Sequence, residues 1–306
     1  MSVCWACLRP VDGDDRYHAR CLRELFGVTK VPAIDVELAK LHTLALAMVG
    51  HTSLSGVQRK ISLRLEAESR TLRVAAEGGH FILKPQAQTF PSLPENEHVT
   101  MRLAERVGIV IPPCALLELK DGSRAYIVRR FDRPAGAGKL LQEDFCQLAV
   151  RSPKEKYQGS AELCARLVLR YASSPLLDAE RLFRLLVFVW WTGNGDMHLK
   201  NFSLLRGEDG QYRLSPAYDL LNTRLVIPDD ELALPIGGSK RVGRKRWLAF
   251  AASCRLQPRI ADRVMAEIGA ATGEAEQLVE ASLLPPEMKR AYRELLRVRG
   301  KTLARG

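Results

Sequence analysis

The stretch GNGDMHLKN, residues 193–201, decides how the rest of the chain is read. It offers a carboxylate at Asp196 and an amide at Asn201. A second piece, SPAYDLL at 215–221, adds the carboxylate of Asp219 after a strand-like FSLL and a GEDG turn. Acid, amide and distal acid, in that order, are what a phosphoryl-transfer site uses: one carboxylate accepts a hydroxyl proton while the amide and the second carboxylate hold magnesium against phosphates. The spacing D-x4-N with a later Asp is that of protein kinases, but the flanking letters differ from the eukaryotic type. Gly195 precedes Asp196, His198 follows it, and the distal triplet reads Tyr218, Asp219, Leu220. Asp and Asn in a glycine-rich loop also serve as plain turn formers. The pairing of the two motifs is what carries the chemistry.

Composition sets the frame. A chain of 306 residues, 46% hydrophobic and 26% charged, has room for a sizeable core and two lobes. Its longest apolar run, LLVFVWW at 185–191, falls short of the roughly 20 residues of a membrane helix. No basic-then-apolar leader opens the chain, so a cytoplasmic protein without a membrane partner is expected. Seven cysteines, an odd number, argue for reduced thiols. The net charge of +11, from 46 Lys and Arg against 35 Asp and Glu, suits an acidic partner such as a nucleotide, a nucleic acid or a protein that binds one.

Upstream of the central stretch, HFILKPQ at 80–86 reads as a strand that places Lys84 among apolar neighbours. A lysine there can reach ATP phosphates if an acid on the next helix orients it. PENEHVTMRLAERVG supplies that helix, with Glu97 the candidate acid and Glu95 the alternative. Before it, HTSLSGVQRKISLRLEAE runs from a loop of small and polar residues, including Ser53, Ser55 and Gly56, into a strand marked by Ile61, Leu63 and Leu65. Such a loop lets backbone N–H groups approach a phosphate, with Lys60 adding charge. An amphipathic helix is expected over 34–49, and a hairpin about Asp121 and Gly122.

At the N-terminus, CWACLRPVDGDDRYHARC places Cys4, Cys7, His18 and Cys21 at zinc-ligand spacing, a candidate zinc knuckle with three thiolates and one imidazole. From about residue 142 the pattern turns helical: EDFCQLAV, SAELCARLVLRYA and DAERLFRLLVFVWW, the last apolar nearly all round and so the expected buried axis. The segment NTRLVIPDDELALPIGGSKRVGRKRW has few periodic apolar positions and reads as mobile, with a basic end at Lys240, Arg241, Arg244, Lys245 and Arg246 that reads first as a solvated charge run and second as a substrate or nucleic-acid contact.

Taken together, SLSGVQRKISL, FILKP, ENE, RRFDR, QEDFCQ, GNGDMHLKN and AYDLL resemble the HipA-type serine/threonine kinases of bacterial toxin-antitoxin systems. The resemblance runs from residue 53 to about 221. It implies an α+β, two-lobed protein-kinase-like fold, with a small, mostly β N-lobe and a helical C-lobe, and ATP with magnesium as cofactors. The expected division is a Cys/His segment at 1–31, an N-lobe at 32–133 and a C-lobe at 134–306. The family pattern makes Asp196 the base, and Asn201 and Asp219 the magnesium ligands. It makes Ser55, Gly56, Val57, Gln58, Arg59 and Lys60 the phosphate loop and Lys84 the phosphate-pairing lysine. Arg129 and Phe131 become hinge contacts to adenine, and His198, Lys200 and Tyr218 line the nucleotide site. The resemblance further implies a protein target, typically an aminoacyl-tRNA synthetase, and silencing by autophosphorylation at Ser53 or Ser55. The stretch ahead of the phosphate loop and the paired serines look most like the short HipT form. Its partners are a HipS-like protein and a HipB-like antitoxin, with DNA met only through the antitoxin. The other readings are a catalytically silent kinase-like binding module and a small-molecule kinase.

Overall fold

The computed structural model describes residues 2–34, 59–66, 68–134 and 138–304. Of the helix expected over 34–49, Ile34 is described and ends a strand instead; residues 35–49 and most of the small-residue loop, including Ser53, Ser55, Gly56, Val57 and Gln58, lie outside them.

Six strands form the N-lobe sheet: β1 (Ala33–Ile34), β2 (Ile61–Glu66), β3 (Thr71–Val74), β4 (Phe81–Pro85), β5 (Cys114–Glu118) and β6 (Arg124–Arg129), in the order β1-β3-β2-β4-β6-β5. Only the β1–β3 pair is parallel. Because strand side chains alternate between faces, β4, β5 and β6 divide their residues cleanly. Phe81, Leu83, Ala115, Leu117, Ala125 and Ile127 turn to one face. Cys114, Leu116, Tyr126 and Val128 turn to the other. The sheet is therefore covered twice.

One cover is the N-terminal segment, whose helix α1 (Ala19–Phe26) buries Leu22, Leu25 and Phe26 with Cys4, Ala6 and Cys21 against the first face. The other is helix α2 (Leu93–Arg106), which starts with Pro94 in its first turn and is buried along most of its length. Lys84 follows Leu83 on β4 and so points to the α2 side, where an acid on that helix can meet it.

The C-lobe carries α3 (Phe145–Leu148), α4 (Ala161–Tyr171), α5 (Pro175–Thr192), α6 (Arg244–Ser253), α7 (Pro258–Ala270), α8 (Thr272–Ala281) and α9 (Pro286–Ala304). As the apolar run required, α5 is buried on nearly all sides, from Leu182 to Trp191. It ends at Gly193, in the left-handed region at φ 77°. A side chain at that position would also meet Leu295 at 2.6 Å and Asn222 at 2.9 Å, so glycine is required on two counts. The next residues are NGDMHLKN.

Two expectations are corrected. Residues 142–144, read as the start of a helix, form strand β7 (Gln142–Asp144), which pairs with β8 (Ser203–Arg206) beside β9 (Tyr212–Leu214). Asp144 then caps the short α3 by accepting from the Gln147 amide at 2.9 Å. The stretch was misread because the same residues serve as strand and as helix cap. The segment before α6, read as mobile, is instead packed down: Leu232, Ala233, Leu234 and Ile236 are buried. Pro235 O accepts from the Ala161 amide at 3.0 Å. An irregular strap has no sequence period to betray it. Among the described residues, no helix is long and apolar enough to cross a membrane.

Candidate active site

The two lobes bring together side chains that the sequence scatters. Lys84 forms an ion pair with Glu97 on α2 and donates to Asp219 Oδ1 at 2.5 Å. Lys60, just ahead of β2, holds the other oxygen of Asp219 at 2.5 Å. Glu95, the alternative acid, is turned to Arg124 at 3.1 Å instead. Burial opposes charge on all three buried groups, and the outcome differs for each. Burial keeps the Glu97 carboxyl above its ordinary value despite Lys84. Asp219 is likewise penalised by burial, yet Lys60 and Lys84 pull it well below the usual carboxylate range. Burial also works against the Lys84 ammonium, but Asp219 and Glu97 overcome it and raise its pKa. Asp219 is thus firmly anionic between two cations.

The backbone of Asp219 sits in the left-handed region at φ 56°. Asp tolerates this conformation better than most residues, yet it still stores strain of the kind found at functional sites. It turns the carboxylate from the end of the β8–β9 hairpin back to Lys60 and Lys84.

Asp196 lies in the loop after α5 and is 8% exposed. Its amide donates to Asn194 Oδ1 at 3.0 Å. Its carbonyl accepts from the His198 amide at 2.9 Å and from Asn201 Nδ2 at 3.0 Å. That second bond commits the amide nitrogen of Asn201, so the amide oxygen is the end that can face a cation. The Tyr157 hydroxyl donates to Asp196 Oδ1. Burial raises the Asp196 carboxyl, against the pull of Tyr157 and the Lys156 cation, while the negative charge of Asp219 pushes it further up. The two carboxylates therefore sense one another.

His198 packs edge-on to Tyr157 at 5.0 Å, and burial lowers its imidazole to about 4. It is neutral near pH 7. Tyr218 donates to the Lys200 carbonyl at 3.0 Å and lies 5.7 Å from the Phe131 ring. Lys200 reaches Asp144 at 2.6 Å, and Arg129 donates to Glu24 O at 3.2 Å. Arg59 leads with Lys60 into β2.

Sequence reasoning missed Tyr157, Lys156 and Asp230. Thr223 ties Asp230 to the loop, accepting from the Gly195 amide at 2.8 Å and donating to the Asp230 carboxylate. Single polar residues in loops carry no spacing signal, and only tertiary contact reveals them.

The residues fit magnesium and a polyphosphate. A strongly ionised carboxylate and an amide oxygen are hard donors of the kind magnesium takes, while Lys60, Lys84 and Lys156 surround the same space with positive charge.

A separate cluster lies behind the sheet. The ligand atoms of Cys4, Cys7, His18 and Cys21 all fall within 4.8 Å of one another, and none of the seven cysteines forms a disulfide.

Two proteins of Sinorhizobium fredii, Y4mE and Y4dM, are 35% and 36% identical over 62% of the chain, covering 46% and 50% of their own lengths. A Haemophilus influenzae protein is 30% identical over 60% of the chain and 57% of its own length. All three are provisionally named kinases. The chain spans about half the length of the curated relatives it matches. Among solved structures, Shewanella oneidensis HipA, determined with HipB and operator DNA, superposes with a TM-score of 0.72 at 20% identity, over 87% of this chain and 70% of that one. The Helicobacter pylori proinflammatory kinase CtkA gives 0.53 at 14% identity, over 76% and 88%. The fold is therefore kinase-like, α+β and two-lobed. With residues 52–275 matching the family described as the HipA-like C-terminal domain, the chain belongs to that family.

Proposed function

We propose that this chain is an ATP- and magnesium-dependent serine/threonine protein kinase, acting as the toxin of a toxin-antitoxin system. The observation that carries the reading is the Lys60–Asp219–Lys84–Glu97 chain of charges, joined electrostatically to a buried Asp196. Magnesium-ATP, when bound, would supply an electrophilic γ-phosphoryl group with ADP as the leaving group. Asn201 and Asp219 would hold the metal. Lys60 and Lys84 neutralise phosphate oxygens, and Glu97 keeps Lys84 aimed at them. Phe131, Tyr218, His198 and Lys200 border the nucleotide, while the Arg129 side chain is turned to α1 through the Glu24 carbonyl. Tyr157 fixes one oxygen of Asp196 and so orients the other to take the proton from the attacking hydroxyl. A base works best with a pKa drawn toward the operating pH, and burial moves Asp196 in that direction.

The remaining elements of the proposal rest on family membership. The target is a protein hydroxyl, with an aminoacyl-tRNA synthetase as the expected substrate and inhibition of translation as the effect. HipB-like and HipS-like chains neutralise it, in keeping with the HipB-bound state of the Shewanella neighbour. Ser53 or Ser55 takes an autophosphate, whose double negative charge would repel ATP phosphates from the loop formed by Ser55, Gly56, Val57, Gln58, Arg59 and Lys60.

The test is transfer of labelled γ-phosphate from ATP in a cell lysate. The proposal expects a labelled protein band with wild type, none with Asp196→Asn, and added phosphate on the 53–55 segment by mass analysis. Labelling of small molecules alone would assign a different kinase class, and no transfer at all would reject the reading.

A further inference from the structure

We infer that Cys4, Cys7, His18 and Cys21 bind one zinc ion, and that this knuckle holds α2 where Glu97 meets Lys84. The second half rests on reading Lys84 and Glu97 as the nucleotide-positioning pair; the first half does not.

The donor set is already assembled. His18 Nδ1 lies 3.4 Å from Cys7 Sγ and 3.9 Å from Cys21 Sγ. Zn–S bonds of about 2.3 Å and Zn–N bonds of about 2.0 Å at tetrahedral angles require donor separations of roughly this size. The other ring nitrogen, Nε2, lies 2.9 Å from the Pro10 carbonyl. A proton on Nε2 makes Nδ1 the ligand, as second-shell carbonyls do for metal-bound histidines. Backbone bonds fold the C-x2-C turn tightly, Cys4 N to Arg9 O and Leu8 N to Cys4 O, both at 2.8 Å. His18 is the N-cap of α1 and Cys21 lies in its first turn. A soft set of three thiolates and one imidazole selects zinc. All four positions are taken by protein, so the site is structural.

The knuckle grips α2 through its own turn. The Ala6 carbonyl, between the two cysteines, accepts from His98 Nε2 at 3.0 Å, with both residues buried. His98 is the neighbour of Glu97 on the helix. A second link runs through Trp5, whose ring lies 5.5 Å beneath the Arg124 guanidinium, while Arg124 pairs with Glu95. Trp5 O also accepts from the Leu116 amide at 2.9 Å, fixing the turn to β5. The metal thus braces the helix from one side of the sheet, and Lys84 receives it on the other.

The experiment uses the full chain purified from zinc-supplemented medium. Metal analysis should find one zinc per chain; iron, or under about a fifth of an equivalent of zinc, overturns the site. Hydrogen exchange over residues 93–106 and nucleotide affinity then test the coupling. His98→Leu should keep its zinc, exchange faster across the helix and bind nucleotide about tenfold more weakly. His98→Gln, which retains a donor, should restore both. Cys7→Ser should lose the metal and show the same exchange. Wild-type exchange in His98→Leu overturns the brace even if Cys7→Ser fails to fold. A wild-type protein that binds zinc, shows the braced helix and binds no nucleotide would instead reject the proposed function alone.

Discussion

Lys84 and Asp219 meet at 2.5 Å although 135 positions separate them in the chain. The contact joins a strand of one lobe to the hairpin end of the other, and Glu97 completes it from a third element. A buried ammonium between two carboxylates is tolerable only while all three stay paired.

Lys84→Met should therefore cost stability as well as function. Glu97 would be left buried without a cation, and breaking a buried pair from one side typically costs about 3–5 kcal/mol. Urea denaturation reads this directly. A loss below about 1 kcal/mol is what an exposed surface bridge gives, and would contradict the burial argument.

Asp196→Asn should lower phosphate transfer by at least about a hundredfold while changing nucleotide affinity little, because the lost group acts as a base rather than as a binding contact. Asp219→Asn should weaken both transfer and the magnesium dependence of binding. Single-turnover kinetics alongside calorimetric titration separates the two. Equal effects of both variants on affinity would argue against the division of roles.

Gly195→Ala tests the loop itself. A Cβ there would sit 2.5 Å from the Glu231 carbonyl and would also strike the Asp230 carboxylate. The backbone atom cannot swing aside, so the loop must shift and carry Asp196 with it. We expect a stability loss of about 1–3 kcal/mol and a larger fall in transfer rate than that loss alone explains. Unchanged melting would show that the strap at 230–231 yields easily.

The pH dependence follows from His98. Burial, reinforced by Arg102, lowers its imidazole to about 3, only partly offset by Ala6. The unfolded chain, with an ordinary pKa of about 6.5, then binds the proton more readily than the folded one. Stability should be full above pH 6.5 and fall as pH drops toward 3, by up to about 1.4 kcal/mol per unit. His98→Gln should flatten that slope in denaturation series at pH 4 to 7. An identical slope in the variant would assign the acid sensitivity elsewhere.

The parts of the fold that the sequence made legible are those with a period. The apolar run of FILKP marked a strand with Lys84 among apolar neighbours, helical spacing placed Glu97 on the next helix, and the GEDG turn brought Asp219 back. The apolar run of α5 located the axis that carries Asp196. The C-x2-C and H-x2-C spacings found the cysteine cluster, but gave no hint that Ala6 would bond to His98. Residues that act singly from loops escaped notice. Tyr157 and Lys156 have no pattern around them, and Asp144 looked like a helix start because it is a helix cap. The strap through Leu232 and Ile236 looked mobile because burial without repetition leaves no mark on a sequence.

The most direct measurement is a crystal structure of the full chain with magnesium and a non-hydrolysable ATP analogue. The account predicts phosphates between Lys60 and Lys84, a metal held by Asn201 and Asp219, and Asp196 facing the terminal phosphate from the same cleft. A nucleotide bound elsewhere, or Asp196 and Asp219 opening onto separate cavities, would contradict it.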